Sequence, residues 1–347
     1  MINITDPQYW DKTSLLRDKQ VWQSENQAEK EIIDDFIIFL EQVKREVGDL
    51  YAEYSVEGLL NYAEVNRMVN AGQLAVYRRM IEQAMNETQQ IQDEYYRLEL
   101  ERLHSTREMT ILDSKVNLIE AYLLVLLMKN TQTVSKSLSG AYESTYNHTI
   151  YDSYRKMGVA FSFEKLTESI VMDRIISDWS GDTFVDAIKA KRHTLIRDVK
   201  RTITTGIRRN ETYKKVVLEL NNLVKGGKGY KGIHKVLRQE TTRVLAESKA
   251  QSYEEAGITQ YRYLATLDDR TTEICQRKDG NIYDFKDMQV GVNFPPLHFF
   301  CRSSITAYFP EDDMSKKQRT ARSPISQWNY KVPADISYQE WDKLYNK

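Results

Sequence analysis

Proline is absent from residue 8 through residue 294 of this 347-residue chain; Pro7 precedes the gap and Pro295 ends it. Proline lacks an amide N–H and punctuates helices and loops, so a gap of this length predicts a mainly helical fold. Inside it, Ile32, Phe36, Leu40, Val43, Val47, Leu50 and Tyr54 step by three and four, with Glu41, Lys44, Arg45 and Glu46 between them. That spacing gives one apolar seam on a long helix, over too few heptads for a free coiled coil. A second helical tract is predicted from about Leu74 to His104 and a third from about Met109 to Lys129. The apolar run Val116–Met128 has thirteen residues, short of the ~18–20 that cross a bilayer, and reads as a buried core helix. Between Gly140 and Phe163, Tyr142, Tyr146, Tyr151 and Tyr154 lie among Ser, Thr, Asn and His, a texture that fits either a continuing helix or an irregular exposed region. Helix is expected again from Phe163 to Asp178, with a break at Trp179–Asp182, and then through Asn210. Four glycines between Val224 and Gly232 predict a flexible loop, without the GxxxxGK[ST] order of a phosphate-binding loop.

Forty-nine basic and fifty acidic side chains leave a net charge of −1, but the charge is unevenly placed. Residues 1–110 carry 21 acids and 12 bases; residues 189–238 carry 15 bases and 3 acids. Lys189, Lys191, Arg192, Arg197, Lys200, Arg201, Arg208 and Arg209 interleave with Ile188, Leu195, Val199 and Ile203. A helix of that kind can bury one edge and offer cations to DNA phosphates without reading sequence, or pair with the acidic amino-terminal helices. Two cysteines make no disulfide framework, and the first residues show no basic-then-apolar secretion signal.

Both cysteines fall in one short module. Tyr261–Leu267 alternates as a strand, Asp268–Thr271 reads as a turn with carboxylates near backbone N–H groups, and Asp279-Gly280 signals a tight turn before a returning strand, Asn281–Phe285. The helix ahead of it, His234–Ala256, should end at Gly257. It carries Arg238, Glu240, Thr241 and Arg243, which suit a salt-bridged face or a clamp onto the module. The fold expected here is a small α+β unit, one helix on a two- or three-stranded sheet.

Cys275, His298 and Cys301, spaced Cys-x22-His-x2-Cys, suit three zinc ligands, with Asp268, Asp269, Asp279 or a water as the fourth. Two thiols packed as small apolar groups and a Cys275–Cys301 disulfide are the rival readings. Catalysis by a thiol finds no oxyanion-binding or orienting partner in the sequence, and no His-Asn-His-type arrangement of a nuclease is present.

The ordered set Arg238-x-Glu240-Thr241-x-Arg243, then Asp268, Asp269, Arg270 and Thr271 before Cys275, then Asp279-Gly280, then Pro295-Pro296-x-His298-x-x-Cys301-Arg302, resembles the phage head morphogenesis family. These are the Mu F-like minor head proteins of tailed phages and prophages. Tyr9-Trp10 and Trp179–Asp182 extend the likeness towards the Gram-positive-phage branch. Thr272 and Ser303 stand where many members carry cysteine, and His298-Phe-Phe-Cys301 replaces His-Pro-Asn-Cys, so a four-ligand metal set does not carry over directly. The resemblance implies a non-enzymatic structural protein of the virion interior, made in the host cytoplasm. Its implied partners are the portal protein, the major capsid or scaffolding protein, and packaged DNA contacted non-specifically. A metal-assisted nuclease or toxin carrier, and a plain DNA-binding protein, are the alternatives. The expected organisation is a helical region at 1–135, a helical middle with the basic helix at 136–232, the Mu F-like α+β domain at 233–310, and a tail at 311–347. That tail is read as a strap over its own domain or a docking peptide.

Overall fold

The computed structural model describes residues 7–88, 93–158, 166–177, 183–310, 318–323 and 328–345. Trp179–Asp182 and Phe163, where sequence predicted a break and a helix start, lie outside them, as do parts of the tail. In chain order the elements are α1 (Pro7–Tyr54), β1 (Ser55–Val56), β2 (Leu59–Leu60), α2 (Tyr62–Val65), α3 (Ala71–Thr88), α4 (Glu94–Ser105), α5 (Ile111–Met157), α6 (Glu168–Ile175), α7 (Phe184–Arg208), α8 (Tyr213–Lys225) and α9 (Tyr230–Glu255). There follow β3 (Gln260–Leu264), α10 (Glu273–Lys278), β4 (Ile282–Asp284), β5 (Ser304–Ala307), β6 (Gln318–Arg322), β7 (Asn329–Pro333) and α11 (Tyr338–Tyr345). The fold is mainly helical, with a small α+β carboxy-terminal module. Among the described residues no helix is long and apolar enough to cross a membrane.

The chain forms two compact units: residues 1–27, 135–183 and 237–347 in one, residues 28–134 and 184–236 in the other. Each unit is built from segments distant in sequence.

In the second unit the α1 seam is buried as its period requires: Ile32, Phe36, Leu40, Val43, Val47 and Leu50 are all inside, joined by Phe39. Glu57 and Gly58, both at positive φ, make the two-residue turn of the β1–β2 hairpin. The tract expected over 74–104 is two helices. Asp93 caps α4 by accepting the Tyr95 N–H at 3.1 Å, and Tyr77, Ile81, Tyr96, Leu100, Leu103, Leu118 and Leu124 share one core. Gly206 lets α7 approach α8, since a Cβ there would lie 2.7 Å from Val216. The glycine-rich loop is instead a tight turn. α9 already begins at Tyr230, and a Cβ on Gly229 or Gly232 would strike the backbone of Val224 or Gly227. The glycines are there for close backbone approach, so the flexible-connector reading is corrected.

In the first unit the tyrosine-rich stretch is regular helix, the late part of α5. Tyr142 and Tyr146, one turn apart, are buried; their carbonyls accept Ser248 Oγ (2.9 Å) and Ser252 Oγ (3.1 Å) of α9, and their hydroxyls reach Gln251 and Glu255. The sheet order is β4-β3-β5, antiparallel throughout, with Tyr261 opposite Tyr283 and Ala307, and Tyr263 opposite Ile305. Alternation along β3 sends Tyr261 and Tyr263 inward, where Tyr261 joins Ala246, Ala250, Phe285, Phe294 and Ile305 under α9. The tail residues described form the β6–β7 hairpin and α11, with Ala321, Val332, Ile336, Tyr338 and Trp341 packed on Leu267. They fold back as a strap on the module rather than extending as a free peptide.

Candidate functional site

The first unit gathers the motif residues around the end of β3. Asp268, buried at the turn, accepts the Arg270 N–H and Thr271 hydroxyl (3.1 Å each), and Arg302 grips both its oxygens, Nη2 at 2.7 Å. Burial alone would raise this carboxyl; the bonds and charge of Arg302 overcome that and hold it below the usual carboxylate range. Asp279 accepts the Ala265 N–H at 2.8 Å and a two-pronged bond from Arg319 at 2.9 Å on each oxygen. Gly280, at φ +80, returns its N–H to the Tyr263 carbonyl at 2.9 Å. Pro296 is buried behind the loop that carries His298, and Asp269 and Arg270 are exposed. Most of these motif residues therefore hold backbone in place.

The helix motif divides its work. Arg238 lies over the Trp22 ring at 3.8 Å and bonds both oxygens of buried Glu25 at 3.0 Å. Thr241 is turned back to its own helix, on the Leu237 carbonyl at 2.8 Å. Arg243 has no exposed side-chain surface; it pairs with Glu240 (2.7 Å) and Glu247 (2.5 Å) and donates to Ser177 Oγ (3.0 Å) and the Arg174 and Ile175 carbonyls (3.4 and 2.8 Å). Those carbonyls end α6, where the negative end of the helix dipole suits a guanidinium. The expected salt-bridged face or clamp onto the module is thus, for Arg243, a clamp onto α6. Bonds to the module come from Lys249, whose Nζ donates to Ser304 Oγ at 3.0 Å, and from Thr242, a position that the motif leaves unspecified. Its hydroxyl donates to the Cys301 carbonyl at 2.9 Å.

Cys275 enters from α10, His298 and Cys301 from the loop before β5, and their ligand atoms lie within 4.8 Å of one another. Sγ of Cys275 is 3.2 Å from His298 Nε2 and 3.8 Å from Cys301 Sγ; both thiols are reduced and buried. Tyr263, whose phenol burial keeps protonated, donates its hydroxyl to Cys275 Sγ at 3.3 Å. The hydrogen bond between the thiols and the surrounding backbone N–H groups draw Cys301 down, while that same bond and burial push Cys275 up. The carboxylates expected as a fourth ligand do not join the cluster: Asp268 and Asp279 are taken by Arg302 and Arg319, and Asp269 faces solvent. Beside the cluster is a cleft of about 20 Å³, lined by Thr272, Ser303, Phe300 and Arg302 among others, with room for one water molecule. Phe300 holds φ +61, a conformation that costs an aromatic residue energy and that turns the His298–Cys301 loop.

The basic set lies in the second unit, on α7 and just after it. Arg197, Arg201, Arg208 and Arg209 are exposed; Lys189, Lys191 and Lys200 are half-buried. Arg192 is a correction: only 1% exposed, it stacks over Tyr95 at 3.8 Å and cannot reach a phosphate. Lys200 pairs with Glu120, and Asp198 draws Lys228 (2.5 Å), Arg201 (3.3 Å) and Arg197 (3.4 Å). The Lys228 bond in particular holds the Asp198 carboxyl low. The expected pairing of these cations with the acidic amino-terminal helices is therefore not the pattern of the bonds described, which run to Asp198 and Glu120.

Residues 197–306 match the family described as Phage Mu protein F like protein. The matched span begins inside α7 and ends in β5, so it holds α8, α9, the three-stranded sheet and all three Cys/His positions. An uncharacterized protein of Haemophilus influenzae (strain ATCC 51907 / DSM 11121 / KW20 / Rd) is 25% identical over 118 residues, 34% of this chain. The chain spans about a quarter of that relative's length (26%). No solved structure matches.

Proposed function

We propose that this Mu F-like chain is a minor structural protein of a tailed-phage or prophage head, bound at the portal vertex in a few copies. There it aids head assembly, DNA packaging or DNA delivery, and it catalyses no reaction. The observation that carries this reading is the family match over 197–306. The geometry favours a structural role within that match. Asp268, Asp279, Arg302 and Arg243, the polar residues that an enzyme would keep free for substrate, each make several internal bonds. The portal protein is the first partner, with capsid or scaffolding protein around it. Quantitative mass spectrometry of purified DNA-filled heads and empty procapsids tests the assignment. A few copies per particle in both supports it; a chain found free in the lysate and in neither particle overturns it and makes nuclease assays the next step.

A second reading, weak DNA contact inside the head, is favoured by the exposed guanidinium groups of Arg197, Arg201, Arg208 and Arg209. With Lys189, Lys191 and Lys200 they would meet phosphates without reading bases. Arg192 is no part of that surface.

A further inference from the structure

Three side chains that zinc favours converge in the first unit. The two thiols pack with Tyr263, Ala265 and Leu297, and on their open side an imidazole nitrogen and two hydroxyl side chains, Thr272 and Ser303, face the same place. The ring of His298 is oriented by a backbone acceptor. Its Nδ1 lies 2.8 Å from the Phe299 carbonyl, a pure acceptor, so Nδ1 carries the hydrogen and Nε2 presents its lone pair to Cys275 Sγ and Thr272 Oγ1. Metal-binding histidines commonly donate their second N–H in this way, to a backbone carbonyl or a carboxylate.

The spacing agrees. Zinc–sulfur bonds of ~2.3 Å and a zinc–nitrogen bond of ~2.0 Å at tetrahedral angles separate two sulfurs by ~3.8 Å and sulfur from nitrogen by ~3.5 Å. The structure has 3.8 Å between the sulfurs and 3.2 Å between Cys275 Sγ and His298 Nε2. The left-handed turn at Phe300 brings His298 and Cys301 to one side of a short loop, backbone strain of a kind found at ligand clamps.

We infer that Cys275, His298 and Cys301 bind one Zn²⁺, with the fourth coordination position open to the one-water cleft beside Thr272. Both thiols lose their protons to solvent on binding, and the neutral imidazole binds through Nε2. The ion ties α10 to the loop before β5, across a module whose own sheet has three short strands. The site goes beyond the proposed head function and stands or falls separately from it.

The experiment uses the full chain, stripped with chelator under reducing conditions and titrated with zinc chloride alone against a chromophoric zinc indicator. Native mass spectrometry, thermal melting and a parallel Co²⁺ titration are read alongside. The expected result is one zinc per chain, a raised Tm, and a tetrahedral Co²⁺ spectrum with thiolate charge transfer. His298→Ala, at a half-exposed position, should keep its helical circular dichroism and lose stoichiometric binding. Thr272→Cys should add a sulfur at the open position and slow zinc loss to chelator. Three outcomes overturn the site: wild-type chain that stays metal-free with both thiols reduced, zinc bound equally by wild type and His298→Ala, or a Cys275–Cys301 disulfide in chain isolated from particles.

Discussion

Arg243→Met would leave Glu240 and Glu247 facing each other in a buried space without their shared cation. Removing one partner from such a cluster costs about 3–5 kcal/mol, and the α6 carbonyls lose their donor besides. Urea denaturation should show that loss, and Arg243→Lys, with no planar fork, should recover little of it. The variant should also change pH dependence. Burial pushes the Glu247 carboxyl above its ordinary 4.5, and Arg243 opposes the rise. A carboxyl with a raised folded pKa favours the fold fully below its unfolded pKa, and that contribution is lost as pH rises through the folded pKa. Arg243→Met should therefore lose more stability at neutral than at mildly acidic pH, and a flat difference would contradict this account. Thr242→Val is a quieter test. It keeps shape, leaves the Cys301 carbonyl unpaired, and should cost about 1–3 kcal/mol by the same measurement. Arg243 was legible as important but not in its role, since its α6 partners are about 70 positions away in sequence. Thr242 was not legible, because nothing distinguishes one threonine from the next. Arg192 could have been placed correctly: it stands four residues after Ile188 and three before Leu195, on the apolar stripe itself.

Among the elements, the strap makes the plainest demand. Arg319 of β6 neutralises Asp279, Tyr338 of α11 donates to the Asp268 carbonyl at 2.8 Å, and Trp341 is fully buried with its Nε1 on Tyr330 Oη at 2.8 Å. Trp341→Ala should destabilise the module by about 3–5 kcal/mol. A chain ending at Pro310 should lose at least as much, because Asp279 would remain buried and unpaired. Hydrogen exchange should show the effect at β3 and α10, with protection there unchanged being the contrary result. The long seam of α1 was legible because period and polarity agree along it. The late part of α5 was not, since tyrosine, serine and threonine have middling helix propensity and its burial is decided by Ser248 and Ser252 of another helix. The break before α4 had only Asp93 as its signal, a helix cap with no proline or glycine beside it.

Charge belongs to the chain as a whole. The −1 total conceals an excess of bases over 189–238, and the structure leaves Arg208 and Arg209 exposed at the end of α7. If they meet DNA, Arg208→Glu with Arg209→Glu should reduce the salt slope of log K for duplex binding by about 2, roughly one for each phosphate no longer neutralised. A slope unchanged by the double variant would exclude them. The Cys/His cluster was legible as three residues of suitable type, but not whether a carboxylate joins them. Spacing named Cys275, His298 and Cys301, but only the fold shows which carboxylates are already engaged.

The interleaving of the two units has a consequence for how the protein is made. Residues 7–27 and the late half of α5 leave the ribosome long before α9, the sheet and the strap that complete their unit. Until residues past 237 are synthesised, the buried faces of Tyr142 and Tyr146 have no α9 to cover them. Between the synthesis of Tyr146 and that of α9 the nascent chain carries this helix face exposed, the condition in which chains meet chaperones or one another. Completion of the first unit waits on α9, the sheet and the strap, and the surface it forms becomes available for assembly only after they are made.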